Sequence, residues 1–267
     1  MLRGEQGGLE KCIFWDPSQK KISLSDLEGF DAVIHLSGEN IASGRWTEKK
    51  KKRIRKSRIL STHLLTEALV QLSKPPQVFI SASATGYYGN QGNEILNERS
   101  PRGEGFLASL CEQWEDAANP AHRKIRVVHP RFGIILASQG GALEKMTRPF
   151  RWGLGAVLGK GNQYLSWIAM EDVVRGMEHI LKTESLEGPV NFVSAQPVTQ
   201  KEFAKTLGKV LRRPVLFSVP ETVLKLVLGE MAEELLLTSV RAMPEKLLKS
   251  GFQFHAPQLE STLKSLS

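Results

Sequence analysis

Three short apolar runs constrain the fold of this chain more than anything else in it. Residues 31–38 read Asp-Ala-Val-Ile-His-Leu-Ser-Gly, and residues 78–89 read Val-Phe-Ile-Ser-Ala-Ser-Ala-Thr-Gly-Tyr-Tyr-Gly after Pro75-Pro76. Residues 125–133 read Ile-Arg-Val-Val-His-Pro-Arg-Phe-Gly. Each is an apolar strand that runs into small, polar or glycine residues. Between them, residues 47–72 and 106–119 read as helices. Alternation of helices with near-continuous apolar strands predicts a parallel sheet covered on both faces. Strand ends of this composition open into a crevice where a ligand can reach the backbone. With 267 residues, one substantial core and an attached smaller lobe are expected.

A dinucleotide-binding sheet ordinarily opens with a strand, a Gly-x-Gly-x-x-Gly-type loop and a helix. The glycines let the backbone approach the pyrophosphate, and the helix N-terminus stabilises its charge. Here Gly4 and Gly7-Gly8 precede the run 9–15, with no apolar strand before them. No helix of ordinary length fits between these glycines and the strand expected at 12–15.

The motifs taken together resemble a known family. They are Ile-Phe-Trp-Asp-Pro at 13–17, His-Leu-Ser-Gly-Glu-Asn-Ile at 35–41, Arg-Trp-Thr at 45–47 and the run 80–89. Trp-Glu-Asp-Ala-Ala at 114–118 and Ser-Trp-Ile at 166–168 belong to the same set. The set resembles an epimerase-like family of atypical extended short-chain dehydrogenase/reductases. Leu-Gly-Glu-Met-Ala at 228–232 and Gly251-Phe252 resemble that family's C-terminal segment, a domain of unknown function. The resemblance implies an α/β fold: a Rossmann-like parallel sheet, incomplete at its N-terminus, with a smaller C-terminal α+β lobe. It implies NADP or NAD as cofactor. A start codon assigned too late is the expected reason for the missing first unit, and a truncated protein with impaired cofactor binding is the alternative. The division expected along the chain is 1–139 for the cofactor domain and 140–165 for a glycine-rich, irregular substrate-side segment. Residues 166–194 return to the main sheet, and 195–267 form the C-terminal lobe.

Enzymes of this superfamily commonly use a serine, a tyrosine and a lysine to move a proton while hydride moves to or from nicotinamide. Ser83 matches the serine by resemblance. The Tyr-x-x-x-Lys pair that should open the next helix is replaced by Phe106-Leu107-Ala108-Ser109-Leu110. Phe106, Leu110 and Trp114 recur four residues apart and read equally as a core-facing stripe. Tyr87 and Tyr88 are then the nearest replacement acids, with a packed loop aromatic as the plain reading of each. His35, Leu36, Ser37, Gly38, Ser81, Ala82, Pro130 and Phe132 are the expected cofactor contacts. Glu39, Asn40, Arg148 and Trp167 are the expected substrate contacts, with Arg151 beside Arg148. Ala169 stands where the family usually has histidine. The reading divides between an NAD(P)-linked oxidoreductase or epimerase-like enzyme, a cofactor-binding or regulatory protein without turnover, and a catalytically silent truncated member.

Charge adds less than its size suggests. The net charge is +8, and residues 48–58 alone contribute seven of those eight charges. Thr47 can cap the helix they open. Apolar positions at 54, 64, 65, 68 and 69 place its other face on a sheet. A solvated basic face is therefore expected rather than a nucleic-acid surface, with attraction of a phosphorylated cofactor as a third role. Cys12 and Cys111 are isolated and support neither a disulfide framework nor a metal site. The partners expected are a small-molecule substrate, with no nucleic acid and no membrane, for a cytoplasmic monomer or homodimer.

Overall fold

The computed structural model describes residues 2–6 and 9–266, with side chains from Ile13 onward. Gly7 and Gly8, on which the reading of the missing loop partly turned, lie outside the described residues. Four parallel strands form the central sheet in the spatial order Gly188–Phe192, Arg126–Phe132, Val78–Ser81, Ala32–His35. Ser83–Ala84 extends the sheet by pairing with Arg131 and Phe132. The expected parallel sheet is therefore present, and the late strand near residue 191 is its fourth member.

The sheet is covered on both faces, as alternation along its strands requires. Phe79 and Val127 pack against Leu65 and Leu69 of helix Glu48–Gln71 and against Ala118 of helix Phe106–Ala118. Ile80, Val128 and Val190 point the other way, onto Val173, Met177 and Ile180 of helix Met170–Lys182. Among the described residues, Ala32–His35 is hydrogen-bonded as a strand only to Val78–Ser81. Ile34 and Leu36 at this edge are 39% and 59% exposed.

The basic helix is more built-in than its charge run implies. Thr47 Oγ1 accepts the Lys50 N–H at 3.2 Å, the expected cap. Lys50 is buried, however, and its Nζ donates to Glu39 Oε1 at 2.7 Å and Ser43 Oγ at 2.8 Å. Lys51 bridges Glu48 and Glu230, each at 2.9 Å. Carboxylates from outside the helix reach what looked like a solvated face.

Residues 140–165 also differ from the irregular segment expected. Gly141–Arg151 is a helix that buries Leu143, Thr147 and Phe150, positions i, i+4 and i+7 of one stripe. Gly140, Gly141 and Gly153 hold left-handed φ values of 69°, 70° and 74° and lie at its two ends. Counting glycines concealed a helix whose apolar spacing was present all along. The helix joins Leu207 and Leu263 in a core shared with helices Gln200–Val210 and Leu259–Leu266. Thr199 and Glu202 form the expected capping box, Thr199 Oγ1 accepting the Glu202 N–H at 3.2 Å and Glu202 Oε2 the Thr199 N–H at 2.7 Å.

One carboxylate fastens the C-terminal segment to the sheet domain. Glu233–Leu237 winds as a π-helical turn, and Glu234 accepts the backbone N–H groups of Phe106 at 2.9 Å and Leu107 at 3.0 Å. These are orphan donors of helix Phe106–Ala118, satisfied here by a residue 128 positions away. Trp46, Ile54, Leu107, Leu110 and Met231 close the same junction as one apolar cluster. Gly105, at φ 103°, leaves room for the Glu234 carboxylate that a Cβ would overlap. Among the described residues, no helix is long and apolar enough to cross a membrane.

Glu234→Ala should cost about 1–2 kcal/mol of stability by leaving two helix donors without their cap. Gly105→Ala should cost more, because it combines left-handed strain with the clash. Urea unfolding of both variants beside the parent measures the order, and equal stability of all three would refute the capping account.

Candidate functional site

The strand Arg126–Phe132 and the helix Phe106–Ala118 hold a buried polar chain at the sheet's carboxyl edge. Arg131 Nε donates to Glu115 Oε1 and its second terminal nitrogen to Glu115 Oε2, both at 2.8 Å, a bidentate pair. Ser83 Oγ donates to the same Glu115 Oε1 at 2.6 Å. The other Arg131 terminal nitrogen donates to the Tyr88 hydroxyl at 3.1 Å, and that hydroxyl donates to Asn191 Oδ1 at 2.7 Å. The Arg131 guanidinium also lies 3.5 Å from the centre of the Tyr87 ring. Burial works against the Arg131 charge, but the Glu115 contacts outweigh it and hold the guanidinium above its usual range. Burial pushes the Tyr88 phenol up to about 12.

The chain places its expected catalytic residues together but gives them different surroundings. Ser83 and Tyr88 are buried, joined through Glu115 and Arg131. Tyr87 is half-buried and is the phenol that borders open space. With Glu98, Glu115, Asp116, His129 and Arg131 it lines a cleft of about 420 Å³. Burial first, then the charges of Glu112 and Glu115, raise the Asp116 carboxyl above its usual range. Helix residues 106–111, Phe-Leu-Ala-Ser-Leu-Cys, carry neither a phenol nor an ammonium group. Leu107 and Leu110 are core residues of the junction described above, and the Phe106 ring packs against them and Trp46. Burial pushes the Cys111 thiol up to about 12.

The cofactor-side residues meet at one edge through the strand register. His35 aligns with Ser81, and Ser83 with Arg131. The tips His35–Gly38, Ser81–Ser83 and Pro130–Phe132 are therefore neighbours. The His35 side chain turns inward, its Nε2 lying 3.3 Å from Ser61 Oγ and its ring edge-on to Trp15. Its carbonyl accepts the Ala82 N–H at 3.0 Å. Leu36, Ser37 and Gly38 are exposed, whereas Ser81, Ala82 and Pro130 are buried and Phe132 is half-buried against Phe192. Ser81 Oγ is buried with no hydrogen-bond partner.

The substrate-side residues are less united. Glu39 is tied to Lys50, and its N–H donates to Ser57 Oγ at 2.9 Å. The hydrogen bond from Lys50 is the main reason its carboxyl sits below the usual range. Asn40 Oδ1 accepts the Ala42 N–H at 2.8 Å, the local turn role open to such a residue. Arg148 and Arg151 are exposed on helix Gly141–Arg151. Trp167 is wholly buried in the core shared by helices Gly141–Arg151, Gln200–Val210 and Leu259–Leu266, and donates to the Gln196 carbonyl at 3.0 Å, so the structure does not bring its ring to the crevice. Ala169 is buried in the strand Trp167–Ala169.

Glu115 and Asn191 were not among the residues expected at the site. A signal for Glu115 was available: it falls on the stripe of Ala108, Cys111 and Ala118, and an acid in an apolar stripe announces a buried partner. Asn191 between Val190 and Phe192 was a weaker clue of the same kind. Among the described residues, no group of three or more His, Cys, Asp or Glu side chains could hold a metal ion.

A dinucleotide fits these residues by halves. Exposed Leu36-Ser37-Gly38, the orphaned Ser81 hydroxyl and the tips at Ser83 and Phe132 suit a nicotinamide and its ribose. No strand–glycine loop–helix unit that would cradle a pyrophosphate occurs among the described residues.

The fold defines a Rossmann-type α/β protein, with the candidate site at the carboxyl edge of the sheet. Residues 5–193 match the NAD dependent epimerase/dehydratase family, and residues 219–266 match a domain of unknown function, DUF1731. The chain belongs to the NAD dependent epimerase/dehydratase family and carries the additional C-terminal domain. It is 35% identical to mouse epimerase family protein SDR39U1 over 100% of this chain and 93% of that protein. It is 41% identical to epimerase family protein Mb2239 of Mycobacterium bovis, over 91% of this chain and 80% of the relative. The crystal structure of human epimerase family protein SDR39U1 (isoform 2) with NADPH superposes with a TM-score of 0.86 at 33% identity, covering 90% of this chain and 82% of that one. The expected resemblance to atypical short-chain dehydrogenase/reductases is thereby established.

Arg131→Met should cost about 3–5 kcal/mol, because it leaves Glu115 charged and unpaired in the interior. Tyr88→Phe should cost about 1–3 kcal/mol by leaving Asn191 without its donor, whereas Tyr87→Phe should fall within about 0.5 kcal/mol of the parent. Urea titrations read all three, and a neutral Arg131→Met would refute the pairing argument.

A pH dependence follows from His35 and His129, which burial holds down at about 4. Both are neutral in the folded protein across the window where the unfolded chain, near its ordinary value of about 6.5, takes up protons. Stability should fall as pH drops from about 6.5 towards about 4, by up to about 1.4 kcal/mol per unit for each histidine. His129→Gln should flatten the slope measured by denaturant titration at several pH values, and an unchanged slope would refute this.

Proposed function

We propose that the strand-end crevice is an NAD(P)(H) site, with preference for the phosphorylated cofactor, serving an oxidoreductase or epimerase-like reaction on a small polar molecule. The meeting of His35–Gly38, Ser81–Ser83 and Pro130–Phe132 at one sheet edge carries this reading. The NADPH in the human relative's crystal structure supports the choice of cofactor. Exposed Lys49, Lys52, Arg53, Arg55 and Lys56 add positive potential on the adjoining helix. A bound nicotinamide would supply the hydride chemistry.

The chain's own residues have narrower tasks in this reading. Ser83 donates its O–H to Glu115, so its oxygen keeps lone pairs free to accept from a substrate hydroxyl. Tyr87 is the phenol that borders the 420 Å³ cleft beside Arg131. Tyr88, committed to Asn191 and Arg131, holds the loop in place. Glu39, Asn40 and Arg148 remain the proposed contacts for a polar substrate. A second reading, cofactor binding with little turnover, is favoured by the absence of an acid–base pair from helix residues 106–111.

Without a glycine cradle among the described residues, the expected Kd for either cofactor is weaker than about 1 mM. Ligand-observed NMR with NADPH and NADH at several times that concentration reads this range. NADPH should give the stronger saturation transfer, and Ser37→Asp should reduce it by about tenfold through charge repulsion at the crevice. No transfer from either cofactor, or transfer indifferent to Ser37→Asp, would overturn the assignment.

A further inference from the structure

We propose that one end of the C-terminal half is a docking surface for an anionic lipid bilayer. The strands Ala156–Leu158 and Phe217–Val219 run parallel, with Ala156 opposite Phe217. Leu216 and Phe217 at the start of one strand therefore lie beside the start of the other, which Leu154 precedes and Trp152 reaches from the end of helix Gly141–Arg151. Trp152, Leu154, Leu216 and Phe217 are 78%, 64%, 81% and 49% exposed. Single exposed apolar side chains are ordinary, but four large ones grouped at one end mark a contact surface.

A basic cleft continues this patch. It measures about 260 Å³ and is lined by Lys205, Lys209, Arg212, Arg213 and Val215, with no carboxylate in its wall. Val215 joins it directly to Leu216. Lys209 pairs with Glu260 at 2.8 Å. Among the described residues, no ion pair within 4.0 Å involves Lys205, Arg212 or Arg213. Apolar tips beside uncompensated cations match the two layers of an anionic membrane surface. Trp152 and Phe217 suit the headgroup boundary, Leu154 and Leu216 the acyl layer beneath it, and the cations the lipid phosphates. Single-stranded nucleic acid also pairs aromatics with cations, but the most exposed aliphatic, Leu216, gains nothing from base stacking. The contact is interfacial and requires no spanning helix.

Co-sedimentation of the full chain with extruded vesicles tests this, using phosphatidylcholine alone and phosphatidylcholine with about 30% phosphatidylglycerol. The chain should pellet with the anionic vesicles and not with the neutral ones. Binding should weaken strongly in about 0.5 M salt. Leu216→Ser with Trp152→Ser should lower the partition coefficient about tenfold or more. Arg212→Glu, at an exposed position outside the proposed cofactor crevice, should lower it about fivefold or more, and should do so with an unchanged melting curve. Absence of binding to anionic vesicles overturns the proposal. So does binding that both sets of substitutions leave unchanged. Binding of a single-stranded oligonucleotide without vesicle binding would assign the surface to nucleic acid. A dimer that the apolar substitutions dissociate, again without vesicle binding, would assign it to self-association.

Discussion

A carboxylate and a guanidinium keep their charges inside a protein only when each satisfies the other. Glu115 and Arg131 meet that condition through two parallel hydrogen bonds of 2.8 Å. Around this pair the sheet edge acquires its shape. Ser83 is oriented by one carboxylate oxygen, Tyr88 by the remaining guanidinium nitrogen, and Asn191 of the adjoining strand by Tyr88. Four sequence-distant segments thus meet through one charge pair. The same pair forms part of the wall of the 420 Å³ cleft. A ligand there would feel the charge distribution that fixes Ser83.

The regular elements were legible because their apolar spacing is local. Strands 78–81 and 126–132, the helices opening near 47 and 106, and the Thr199 capping box each follow from a few neighbouring residues. Helix Gly141–Arg151 was hidden by glycines at its ends although its stripe was local too. Trp167 was misleading in another way. A tryptophan within a family motif invites a binding role, yet its ring fills a core and only its N–H needed a partner.

The polar chain at the site was legible only in pieces. Ser83 and Tyr88 stood out as loop hydroxyls, but their partners lie 32 and 103 residues away. No periodicity links such positions. The separation of Tyr87 from Tyr88 likewise needed three dimensions. One phenol is sealed between Arg131 and Asn191, while its neighbour keeps access to open space. Adjacent identical side chains thus have different surroundings, and burial raises the phenol of Tyr88.

The Glu234 cap has a mechanical consequence. Swinging the C-terminal domain away from the sheet would strip two backbone donors of their acceptor and part Lys51 from Glu230. It would also expose the apolar junction around Met231 to water. Hinge opening at this seam is therefore opposed by three kinds of contact at once. The C-terminal domain is thereby held as a fixed wall against helices Glu48–Gln71 and Phe106–Ala118.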